Sequence, residues 1–164
     1  MNTADLIAID THTHLEVSCR NPFDAYGEEY DRAADKYFRS SRRPTMQETI
    51  AFYREQKIGF VNFTVDAETQ LGRRRIPNEE IAEAAMANSD IMIAFGSIDP
   101  HKGKMGAREA RKLVEEFGVK GFKFHPTVQG FEPADKMAWP IYEVINEYKL
   151  PAIFHSGHSG IGSG

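Results

Sequence analysis

The sequence predicts an α/β fold of the (β/α)8 TIM-barrel type, with about the first five strands present in its 164 residues. Three observations lead there. Short β-branched or aromatic runs alternate with helical periodicities along the whole chain. Strands joined by helical crossovers should be parallel, with right-handed connections. Alternate strand positions separate into an apolar set and a set that turns polar near the carboxyl end, which suits a barrel wall. A doubly wound sheet, covered by helices on both faces, would want apolar residues on both.

Taken in order, strands are expected at about 5–11, 58–65, 90–97, 119–125 and 150–155, and helices at about 45–56, 77–88, 104–117 and 136–148. Thr45 with Glu48 three residues on is a capping box for the first helix, and Pro77 before Asn78-Glu79-Glu80 opens the second. Gly59 and Gly118 mark helix ends. In strand two Val61, Phe63 and Val65 alternate with Asn62, Thr64 and Asp66. In strand four Phe122 and Phe124 are expected to face the helices, which leaves Lys123 and His125 inside. In strand five Ala152 and Phe154 alternate with Ile153 and His155. Every strand but the third is expected to turn its polar set inward.

Composition narrows the function. A hydrophobic content of 41% supports an ordinary core, and 20 basic against 24 acidic residues give a net charge of −4, which argues against a general nucleic-acid surface. Cys19 has no internal partner for a disulfide, which fits a reducing compartment. The apolar run Leu6 to Ile9 is too short for a signal or membrane segment. A cytoplasmic protein without a membrane or nucleic-acid partner is expected, with a homo-oligomer open.

The chemistry concentrates in the histidines. Residues i and i+2 of a strand share a face, so His12 and His14, in Ile9-Asp10-Thr11-His12-Thr13-His14, project side by side and can share a metal ion. His125 and His155 end strands four and five, which brings four of the six histidines to the face where barrels keep their active sites. His125 reads equally as a hydrogen-bonded core histidine. His155 opens the permissive loop Ser156-Gly157-His158-Ser159-Gly160. Asp10, on the face of His12, either orients a ligand imidazole from behind or is buried toward the helices with a backbone partner.

Three motifs, Asp10-Thr11-His12-Thr13-His14, Gly121-Phe122-Lys123-Phe124-His125-Pro126 and Pro151-Ala152-Ile153-Phe154-His155-Ser156-Gly157, resemble the amidohydrolase-related branch of the amidohydrolase superfamily. That branch includes aminocarboxymuconate-semialdehyde decarboxylase, resorcylate decarboxylases and assorted carbon–carbon or acyl hydrolases. The resemblance spans nearly the whole chain. It implies a divalent metal on His12, His14 and His155; zinc is expected, or else manganese, and His125 and His155 are the catalytic candidates. The family's fourth ligand, an aspartate after strand eight, and its sixth-strand histidine have no counterpart here. Since a complete barrel needs about 250 residues, residues 1–164 read as an amino-terminal portion. A truncated frame, part of a longer protein and half of a barrel completed by another chain all fit, and the chain alone is expected to lack appreciable activity.

Four further features surround this set. Lys123, two residues before His125, suits a substrate carboxylate or an internal hydrogen bond better than a carboxylated bridge between metals. The connection at about 15–44 carries Phe23, Tyr26, Tyr30, Tyr37 and Phe38 with Arg39, Arg42 and Arg43, and reads as a lid over the substrate. Arg73-Arg74-Arg75 either grips a carboxylate or phosphate or is a solvated charge run; Arg73 and Arg74 are the substrate-binding candidates. His158 is a candidate for substrate contact, and His101 is a loop residue. The expected function is metal-dependent hydrolysis of a small carboxylated or aromatic substrate. Non-oxidative decarboxylation, a TatD-type nuclease and a non-catalytic partner chain are the alternatives.

Overall fold

In the structure, a computed structural model, residues 1, 3–20, 32, 35–37, 39–41, 43–72 and 74–157 are described. Five parallel strands run in sequential order: β1 (Ala8–His14), β2 (Ile58–Phe63) and β3 (Met92–Ala94) in one sheet, β4 (Phe122–Phe124) and β5 (Ala152–Phe154) in a second. The two sheets meet at the bridge between Gly96 and Phe122, where Lys120 N donates to Ala94 O at 2.9 Å and Lys123 N to Gly96 O at 2.7 Å. The order never reverses, so there is no switch point of a doubly wound sheet. Among the described residues the wall is open: no strand covers the free edge of β1 or β5, and a closed barrel is not seen.

The main helices are α1 (Met46–Gln56), α2 (Asn78–Ala87), α3 (Lys104–Glu115) and α4 (Trp139–Glu147). Their buried residues Ile50, Ile81, Ala85, Leu113, Ile141 and Val144 share one cluster with Phe60, Phe122 and Phe124 of the strands. A second cluster of Val61, Phe63 and Phe95, with Ile93 and Ile153 packed on it, lines the other face. Helices therefore cover one side only, as the barrel reading requires.

Several local expectations hold. The Thr45 side chain accepts from Glu48 N while the Glu48 carboxylate accepts from Thr45 N, which closes the capping box. Gly118, at φ 64°, ends α3 with its N–H on Val114 O and the next on Leu113 O. Strands β3, β4 and β5 are three residues each, shorter than expected; just beyond β3 and β4 the N–H groups of Ser97 and His125 go to the side chains of Asn78 and Gln129.

Other expectations need correction. The left-handed residue that ends α1 is Lys57, φ 55°, and Gly59 already belongs to β2, where its missing Cβ admits Leu6 and Met1. β1 runs to His14, so both histidines lie within the strand. In β2 the inner set is apolar Val61 and Phe63, whereas Asn62, Thr64 and Asp66 turn away. Asn62 Nδ2 bonds Thr13 Oγ1 at 2.9 Å and Asp66 pairs with Lys102, so these polar groups serve the wall. None of the described helices is long and apolar enough to cross a membrane.

The backbone of Gly121 lies against the Phe95 ring, and a Cβ there would sit 2.4 Å from its Cζ. Gly121→Ala is therefore expected to cost about 1–3 kcal/mol, read as a lower urea midpoint at unchanged slope.

Candidate functional site

The site begins with the backbone of β1. Its register against β2 runs Asp10 to Phe60 and then Thr13 to Asn62, three residues against two. This β-bulge reverses which residues share a face. Asp10 and Thr13 look toward the helix layer with Phe60 and Asn62, whereas His12 and His14 look inward with Phe63. The expectation that Asp10 and His12 share a face is thus overturned by one extra residue. Asp10 touches no imidazole: Oδ1 accepts His12 N at 2.9 Å and Oδ2 accepts the Tyr53 hydroxyl at 2.7 Å.

On the inner face the Nε2 atoms of His12 and His14 lie 3.1 Å apart. Phe63 lies beneath both rings, with centroid separations of 5.4 and 4.8 Å. Lys123 is fully buried on the neighbouring sheet, its Nζ 3.3 Å from His12 Nε2 and 5.3 Å from the Phe63 centroid. The expected internal hydrogen bond of this lysine is therefore present. His125 and His155 stack face to face at 4.0 Å, 10° from parallel. Thr127 Oγ1 lies 3.2 Å from His125 Nδ1, and Gln129 Oε1 accepts His125 N at 2.7 Å.

Burial governs the charge of this group. It is the largest cause pushing His14 down to about 3, followed by the charges of His12, Lys123, His125 and His155. His125 falls to about 4 by burial and then by His155 and Lys123. His12 is lowered by burial, Lys123 and His155, against the opposing pull of Asp10. Burial alone pushes Lys123 down to about 8. At neutral pH His14 and His125 are therefore neutral imidazoles beside an ammonium group, each with one unprotonated ring nitrogen.

Neutral imidazole is the form that binds a divalent metal. Two nitrogens on one tetrahedral ion with bonds of about 2.0–2.1 Å stand roughly 3.3 Å apart, close to the 3.1 Å seen for His12 and His14. His155 Nε2 is buried and has no hydrogen-bond partner among the described residues, which suits a nitrogen free to take one. Among the described residues no three histidine, cysteine or acidic side chains converge on one point. The spacing of the pair fits a metal, whereas His155 is stacked on His125 and does not converge on the pair.

The remaining candidates separate. Arg75 joins Glu109, Asp66 and Glu68 in ion pairs within the wall, and Arg74 is exposed on the loop after β2. His101 lies in a short 3-10 helix (Pro100–Lys102), not a loop, and its Nε2 meets Gln129 O at 3.0 Å. Arg73 and His158 lie outside the described residues, as do Phe23, Tyr26, Tyr30, Phe38 and Arg42 of the expected lid. Tyr37 is exposed and Arg43 pairs with Asp35 at 2.5 Å. Sequence reasoning missed Tyr53, Phe63, Gln129 and Glu16, whose carboxylate stands 4.0 Å from His14 Nδ1. Of these only Phe63 carried a signal, its position in the alternation of β2.

A family model described as Amidohydrolase matches residues 9–163. This chain belongs to the amidohydrolase family. Its fold is similar to that of 5-carboxyvanillate decarboxylase from Novosphingobium aromaticivorans DSM 12444, solved with manganese and 4-hydroxy-3-methoxy-5-nitrobenzoic acid. The TM-score is 0.67 at 17% identity, over 94% of this chain and 52% of that one. The same enzyme from Sphingomonas paucimobilis gives 0.61 at 16%, over 90% and 51%. The 4-oxalomesaconate hydratase of Rhodopseudomonas palustris gives 0.52 at 20%, over 90% and 51%. The likeness is one of fold, and the amidohydrolase chain spans about half the length of these structures. No curated protein matches it.

Linkage follows from the lowered imidazoles. The unfolded chain takes up protons near pH 6.5, whereas folded His14 and His125 do so only near 3 and 4. Between these values the unfolded state binds more protons, so stability is lost as the pH falls from about 6.5. Urea denaturation of the metal-free protein is expected to show a falling midpoint over that range, with a shallower slope for His14→Asn.

Proposed function

We propose that this amidohydrolase chain carries the metal-binding and substrate-facing residues of a hydrolase acting on a small carboxylated or aromatic compound. The observation that carries the reading is the His12–His14 pair, 3.1 Å apart at Nε2 on a buried aromatic floor, beside the Lys123 ammonium. A divalent ion, zinc or manganese, would be held by His12, His14 and His155. When bound it supplies a Lewis acid able to polarise a substrate oxygen or to activate water.

The chain's own residues do the rest. Lys123, with its pKa near 8, is mostly protonated at pH 7 and presents the charge that a substrate carboxylate needs. His125 is neutral at that pH and so acts as a hydrogen-bond donor toward developing negative charge, not as a cation. Its Nδ1 is engaged by Thr127, which fixes the ring orientation and leaves Nε2 to face the reaction. Val61, Phe63 and Phe95 give an aromatic ring an apolar surface and keep water from the charges.

Decarboxylation is the second reading, favoured by the same pairing of lysine with an aromatic floor. It agrees with what the two 5-carboxyvanillate decarboxylases are named for. Both reactions are proposed for a state in which the free edges of β1 and β5 are covered, because an open inner face cannot exclude water or hold a substrate in place.

The 164-residue chain is expected to bind manganese or zinc in calorimetry, and His12→Ala or His14→Ala to abolish binding while His101→Ala leaves it unchanged. Retained binding in the first two variants would overturn the assignment. Turnover is read in a protein in which the free edges of β1 and β5 are covered, on a panel of aromatic carboxylates and their esters and amides, with carbon dioxide release separating the two reactions. Lys123→Met is expected to raise KM for carboxylated substrates at least about tenfold, from the loss of a charged hydrogen bond, with little effect on uncharged analogues.

A further inference from the structure

The face on which His12 and His14 present their rings is decided by the single residue that β1 has in excess of β2 between Asp10 and Thr13. A β-bulge interrupts the ladder and is kept only where other contacts replace the bonds it loses. Here the replacements can be traced. Within the bulge the His12 N–H donates to Asp10 Oδ1 at 2.9 Å. Thr13 Oγ1 donates to Val61 O at 2.8 Å and accepts Asn62 Nδ2 at 2.9 Å.

One contact comes from outside the sheet. Tyr53, on α1, passes its hydroxyl to Asp10 Oδ2 at 2.7 Å, and its ring is stacked on Phe60 at 4.5 Å and 20°. Phe60 is the residue that Asp10 faces across the ladder and is itself fully buried. Tyr53 is thus fixed at the ring by the core and at the hydroxyl by the bulge. Its hydroxyl is held in the donor state, since burial and then Asp10 push it up to about 12.

We propose that Tyr53 is a positioning residue for the metal-binding pair: through Asp10 it holds the bulge that turns His12 and His14 to the inner face. The inference rests on the metal reading above. Tyr53 itself stands on the opposite side of the wall from the two imidazoles and touches neither. Without its hydroxyl, Asp10 keeps one anchor and gains freedom to leave His12 N, and a slip of β1 into regular register would turn His12 into the helix layer.

The test uses the purified 164-residue chain with Tyr53→Phe, Asp10→Ala and Asp10→Asn. Manganese and zinc affinities are measured by calorimetry, and contacts between the Phe63 ring and the His12 and His14 rings by nuclear Overhauser effects in the metal-free protein. Tyr53→Phe and Asp10→Ala are expected to weaken both metals about 10–100-fold and to lose the Phe63 to His12 contact. Asp10→Asn is expected to keep both, because its amide oxygen still accepts His12 N and its amide N–H can donate to the Tyr53 hydroxyl. Wild-type affinity and intact ring contacts in both Tyr53→Phe and Asp10→Ala would overturn the inference. If the wild type binds no metal while the ring contacts still respond, the metal reading fails and the positioning role stands. Should Asp10→Ala fail to fold, Tyr53→Phe against Asp10→Asn decides.

Discussion

The inner face depends on how Phe63 removes water from the groups around it. Its ring is fully buried and lies under both imidazoles of the β1 pair and under the Lys123 ammonium. An ammonium beside two imidazoles would be unremarkable in water. Against an aromatic floor each charge loses hydration, so the imidazoles give up their protons first and the lysine is brought toward neutrality. The ring also offers its negative face to whichever cation remains, which partly offsets the lysine's burial. Burial on this aromatic floor thereby lowers the proton affinity of His12, His14 and Lys123 together.

A second constraint holds the loops that carry these groups. Asp66 is fully buried after β2, with Lys102 Nζ at 2.6 Å, Asp99 N at 3.1 Å and Arg75 at 3.5 Å. Burial outweighs these partners and raises its carboxyl above the usual range. The cluster is therefore a costly way to gain stability and an effective way to fix geometry. Gln129, equally buried, donates to Asp66 O and Ile98 O and accepts His125 N. Through it the position of His125, after β4, is tied to the loops after β2 and β3.

Much of this was legible in the sequence. Alternation in β4 correctly assigned Phe122 and Phe124 to the helices and Lys123 inward, because a strand buried on both faces still separates its apolar residues from a lysine by parity. The same rule failed in β2. Asn62 and Asp66 are polar for the sake of partners in the wall, Thr13 and Lys102, that are distant in sequence. It gave the right grouping of His12 with His14 but the wrong one of Asp10 with His12. A bulge leaves no local mark when neither Gly nor Pro accompanies it. The arginine run divided in the same manner: Arg75 found carboxylates on α3 and the β2 loop, a pairing visible only once the helix is placed.

For the proposed metal site, the state of the free pair bears on how the site would be assembled. Ligand histidines that are protonated or splayed must be neutralised and brought together, and that work is taken from the binding free energy. Here the aromatic floor has already removed the proton from His14, and the bulge has already set the two nitrogens 3.1 Å apart. Metal-free protein bears the cost as desolvated, partly satisfied nitrogens, His155 Nε2 most clearly among them. On the metal reading proposed above, a cation would relieve that cost by taking the lone pairs, and the fold and the ion would stabilise one another. The preorganised group lies on β1, β4 and β5. Two of those strands are the free edges of the sheet, so whatever covers the edges also bounds the site.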